Sequence, residues 1–144
     1  MKPSPELVLN QAFAKIAMEM GPALPPGYGQ GSATTTAVLL LMVGQEFDRA
    51  ADIRARENRV MRALFGDAAK NITGELGAKL SAVAGNRDED LTIAALDRAN
   101  AELKRLLIDL QIHAEQAGDR PLELRVLRFL SEAATARQVH LPAM

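Results

Sequence analysis

Residues 88–117, DEDLTIAALDRANAELKRLLIDLQIHAEQA, decide the fold. Leu96, Ala99, Leu103, Leu106, Leu110 and Ala117 keep a nearly perfect seven-residue repeat, the period at which helices pack side by side at shallow angles. Asp88, Glu89 and Asp90 stand where the positive end of a helix dipole favours carboxylates, and Gly118 follows the last periodic residue. A helix over about 89–117 with one apolar seam requires a long antiparallel neighbour.

Residues 32–65 read as a second long helix. No Pro interrupts them, and Gly44, the one glycine within, costs only about 1 kcal/mol relative to Ala. At 100° per residue Leu39, Val43, Ala50, Met61, Leu64 and Phe65 share a stripe, with Arg49, Asp52, Arg56 and Arg59 opposite. The first stripe is expected to be buried. Gly66 and Asp67 are read as the end of this helix. Ile72, Leu76, Leu80 and Val83 then recur at helical spacing, weakened by Gly74 and Gly77, and predict a shorter connecting helix at about 68–84.

Two further helices frame these. Ser4, Pro5 and Glu6 form a helix start, and Leu9, Ala12, Phe13, Ile16, Ala17 and Met20 continue it to Gly21 and Pro22, so a helix spans about 4–20. The following stretch, 21–31, is crowded with Pro and Gly and is read as a loop, with Ser32 or Thr34 capping the next helix. After Asp119 and Pro121, the residues Leu122, Val126, Phe129, Leu130 and Ala133 give a helix over about 120–137, and the end of the chain around Pro142 reads as a tail. The expected fold is therefore all-α: an antiparallel bundle of four main helices plus the weaker connecting one, in a single domain over 1–144.

Composition narrows function by exclusion. A net charge of −1 lacks the basic excess that displaces counterions from phosphate backbones, so nucleic acid is not an expected partner. The absence of cysteine removes thiolate metal sites and Cys nucleophiles, and points to a reducing, cytoplasmic setting. The longest apolar run, Ala37 to Val43, is far short of the roughly 20 residues of a membrane span. The N-terminal residues lack the apolar stretch of a signal peptide.

Chemistry has few places to sit. Glu46, Arg54 and Glu57 fall among the apolar residues of the 32–65 stripe. Charges seldom enter a core unpaired, so Arg54 and Glu57, three apart, are expected either to pair locally or to line a pocket for a small ligand or anion. His113 lies at the edge of the Leu seam. With Asp109 it offers two of the four ligands a closed zinc site needs, so no metal or cofactor is expected. Gly29, Gly31 and Ser32 could cradle an anion, although no strand precedes them and no P-loop lysine follows. No local arrangement names a catalytic triad.

A second apolar line, Ala94, Ala101, Ile108 and Ile112, runs along the far side of the 89–117 helix. One helix face suffices for one core, so Ala101, Ile108 and Ile112 are interface candidates for a second copy of the chain. The expected function is non-catalytic helix–helix interaction, with self-association into a homodimer or other homo-oligomer. The alternative is a bundle, an enzyme or a simple binder, that takes a small molecule or anion through Glu46, Arg54, Glu57 and His113.

Overall fold

The computed structural model describes residues 2–140. Those residues form helices and no strand: α1 (Pro5–Lys15), a π-helical turn (Ile16–Met20), α2 (Gly21–Ala23), α3 (Tyr28–Ala68), α4 (Gly74–Ala84), α5 (Ile93–Ala117) and α6 (Arg120–Ala136). The all-α class is as the sequence predicts. Pro142 and the expected tail around it lie outside the described residues.

Several helix ends follow the expected chemistry. The Ser4 hydroxyl accepts the Leu7 N–H at 3.3 Å, the Asp119 carboxylate accepts the Leu122 N–H at 3.1 Å, and Gly118 ends α5 at φ 65°, a left-handed value that favours glycine. Other boundaries differ. Residues 21–31 are not one loop: the helix passes Gly21 and Pro22 by widening, with the Gly21 N–H reaching the Ile16 carbonyl five residues back. That register accommodates Pro22, which has no N–H and whose ring crowds the preceding turn. α3 starts at Tyr28, before Ser32 and Thr34, because Gly27 takes φ 139° and its carbonyl accepts the Gly31 N–H at 3.1 Å. Gly66 and Asp67 do not stop α3, which runs to Ala68. α5 begins at Ile93, capped by Thr92, so Asp88, Glu89 and Asp90 precede the helix.

The described chain divides into two compact units: residues 2–50 with Val139 and His140, and residues 51–138. The boundary falls inside α3.

In the first unit α1 lies against the N-terminal part of α3. A methyl group on Gly44 would approach the Leu9 Cβ to 3.2 Å and the Asn10 Oδ1 to 3.1 Å, so this glycine allows the two helices to meet closely. Phe13, Ala37 and Leu41 form the small buried cluster, with Ile16, Ala17 and Leu40 packed against it. Leu39 and Val43, expected inside, are more than half exposed. α1 covers the Ala37 and Leu41 side of α3, and the adjacent stripe has no helix of this unit over it.

The second unit packs the C-terminal part of α3 with α4, α5 and α6 around one core. Arg54–Asp97, Glu57–Asn100 and Asn58–Asn100 are 42 or 43 residues apart, a constant offset that means α3 and α5 run in the same direction. α6 returns: Asp67 pairs with Arg125 and Glu57 with Arg137. The core contains Met61, Phe65, Leu80, Leu110 and Val126. α4 is thus a full member of the bundle rather than a connecting piece, because Leu80 is completely buried. On α5 the buried line is Leu96, Asn100, Leu103, Leu107, Leu110 and Ala114, so Leu107 and Ala114 take the places expected for Leu106 and Ala117.

Candidate functional site

A chain of polar side chains crosses the upper part of the second unit's core. Glu57, 5% exposed, sits on the inward face of α3 between Ile53 and Met61. Arg137, just past the end of α6, donates to it twice, Nε to Oε1 at 2.6 Å and a terminal nitrogen to Oε2 at 2.9 Å. Asn100 of α5 donates to Oε2 at 3.0 Å, and the Lys104 ammonium stands 3.4 Å away. Asn100 gives its other N–H to Asn58 Oδ1 at 2.9 Å. Asn58 in turn donates to Asp88 Oδ2 at 3.2 Å and to the Leu96 carbonyl at 3.3 Å. Asp88 closes the chain by accepting from Arg62 at 2.7 Å.

The donor pattern has one consistent reading. Each asparagine uses its amide hydrogens on acceptors, and each end of the chain is a carboxylate gripped by an arginine, so both carboxylates are ionised. Burial pushes Glu57 up, yet the hydrogen bonds from Arg137 and Asn100 and the charges of Arg137 and Lys104 outweigh it and leave its pKa lowered. Asp88 is also lowered, first by the Arg62 hydrogen bond and then by Asn58, against its own burial. Glu57 thus accepts from Arg137 through both oxygens and from Asn100 through Oε2. Its role is to tie α3, α5 and the end of α6 together.

Among the sequence candidates, Arg54 and Glu57 belong to this unit. Arg54 donates to Asp97 of α5 at 2.5 Å, and the cation that answers Glu57 comes from Arg137. Glu46 is exposed and belongs to the first unit. His113 is half-buried on α5, and no group of three or more metal-binding side chains occurs among the described residues. Gly29, Gly31 and Ser32 lie in the first turns of α3. The cavity there, about 330 Å³ and touched by Gly31, Gln30 and Thr34, has no charged group in its wall. The hydroxyls of Thr34, Thr35 and Thr36 are spent on helix carbonyls one turn back. Ala101, Ile108 and Ile112 are all exposed.

Asn58, Arg62, Asp88, Asn100, Lys104 and Arg137 were not among the sequence candidates. Asn100 carried a readable signal: it lies four residues after Leu96 and three before Leu103, inside the seam itself. Asp88 and Arg137 carried none, since each lies outside a helix.

The first unit presents a different surface. Leu39, Val43 and Phe47, spaced by four on α3, are 54–59% exposed, and Met42 lies beside them. On the preceding segment Leu7, Val8, Met18 and Met20 are about half exposed. Between Glu19 and Glu46 the sequence has no charged residue. No helix among the described residues is long and apolar enough to cross a membrane.

Comparison with protein-family models, with curated proteins and with solved structures gives no match.

Proposed function

We propose that this chain is a non-catalytic helical module that acts by helix–helix association, and that its partner is a second copy of itself, bound through the hairpin of the first unit. The exposed stripe of Leu39, Val43 and Phe47 carries the reading. A hairpin whose buried cluster is three apolar side chains has too small a core to hold two helices together by itself, and small helical units meet that deficit by oligomerising. A second hairpin across a two-fold axis would complete a four-helix arrangement and cover the stripe. The uncharged stretch favours a like partner, because a strongly charged one would lose hydration without gaining an opposite charge.

Light scattering of the full chain tests this. The wild type should have twice the monomer mass, and Val43→Lys with Phe47→Lys should halve it while circular dichroism remains helical. A monomeric wild type at micromolar concentration overturns the proposal.

The outer line of α5 is the competing surface. Ile108 and Ile112 are exposed there, but Glu102, Arg105 and Asp109 interleave with them. Ile108→Lys with Ile112→Lys should leave the mass unchanged; dissociation by this pair alone would move the interface to α5.

A further inference from the structure

Beside the Arg62–Asp88 end of the network, the second unit has a cleft whose positive charge is only partly answered. It lies between α3 and the segment that follows α4, encloses about 680 Å³, and is lined by Arg59, Arg62, Arg87, Asn86, Asp88 and small apolar groups. Arg62 is nine-tenths buried. It donates to Asp88, while its Nε is sealed from solvent with no acceptor. Arg59 and Arg87 have no carboxylate partner among the described residues. Three guanidiniums therefore face one carboxylate, and that carboxylate already accepts from Asn58.

We propose that this cleft binds a small molecule carrying at least two negative charges on phosphate or carboxylate oxygens. Guanidiniums suit such groups because their planar donors match two oxygens at once. Arg59 and Arg87 approach from different elements, the body of α3 and the segment before α5, so a doubly charged ligand bridges them. Ala55, Ala63 and Ala84 provide a wall for an apolar part of the ligand. Glu89 and Asp90 edge the adjoining cavity, which shares Arg62 and Arg87, and they repel an anion from that side. The ligand accordingly occupies the Arg59 side.

Calorimetric titration of the full chain at low ionic strength, with pyrophosphate in one arm and citrate in the other, tests the site. At least one should bind saturably, one per chain, and the tighter of the two identifies the oxygen chemistry. Arg59→Gln and Arg87→Gln should each weaken binding about tenfold. Arg105→Gln, an exposed substitution on α5, should leave it unchanged. Both cleft residues are accessible enough for the variants to fold, which circular dichroism checks. Absence of binding by both anions, or equal weakening by Arg105→Gln, overturns the proposal. Val43→Lys with Phe47→Lys should bind the anion normally, so this site and self-association succeed or fail separately.

Discussion

Glu57 and Arg137, eighty residues apart, meet in a two-point ion pair whose nitrogen–oxygen distances are 2.6 and 2.9 Å. The carboxylate is buried, whereas the guanidinium is 37% exposed at its side chain. Removing each partner should consequently have a different effect.

Arg137→Met leaves Glu57 to Asn100 and Lys104. Stranding a buried carboxylate typically costs about 3–5 kcal/mol, and the exposure of Arg137 together with the remaining donors brings the expected loss to about 1–3 kcal/mol. Glu57→Gln combined with Arg137→Met should recover part of it, since the stranded charge is gone. Urea melts of wild type, both single variants and the double variant measure the coupling. Additive singles would mean that the pair contributes nothing.

Acid should weaken the second unit through the two carboxylates of the network. Glu57 and Asp88 both have folded-state values below their ordinary 4.5 and 3.8. Their contribution is therefore complete above those ordinary values and is lost as pH falls through the lowered ones. Glu57→Gln and Asp88→Asn should flatten the fall in melting temperature below about pH 4. A wild-type profile as flat as that of the double variant would show that neither carboxylate is linked to folding.

Two glycines separate local preference from packing. A Cβ on Gly77 would stand 2.0 Å from the Ile72 carbonyl oxygen, so the turn leading into α4 would have to move. Gly77→Ala should destabilise by roughly 2 kcal/mol or more despite the better helix propensity of Ala. At Gly66 the same methyl meets Ala84 Cβ at 3.4 Å, an ordinary contact. Gly66→Ala should stabilise α3 by about 0.5–1 kcal/mol. Thermal melts of the pair decide it, and equal effects would contradict the close approach at Gly77.

Local chemistry was legible wherever a signal acts within one helical turn. Ser4, Asp119 and Gly118 mark helix ends as their hydrogen-bonding capacities and φ preferences dictate. The same local rules misplaced others. Pro22 was passed by a π-helical turn, Gly27 started α3 before Ser32, and Gly66 was tolerated inside α3, since each of these residues permits more than one backbone path. Periodicity likewise found an apolar stripe through Leu39 and Val43 but not its cover. Both stripes of that helix are apolar, and only the position of α1 selects the Ala37 and Leu41 side.

By itself the sequence determined that the chain is helical, where α1 begins, where α5 ends and α6 begins, and that Glu57 lies among apolar neighbours on its helix. These properties depend on residues within about four positions of one another. Tertiary structure alone decided that α4 is a full bundle member, that Asn58 and Asn100 meet, that Arg137 answers Glu57, and that Arg59, Arg62 and Arg87 gather in one cleft. Such meetings join residues tens of positions apart. Their partners are chosen by the direction and offset with which whole helices pack, and no local pattern encodes that choice.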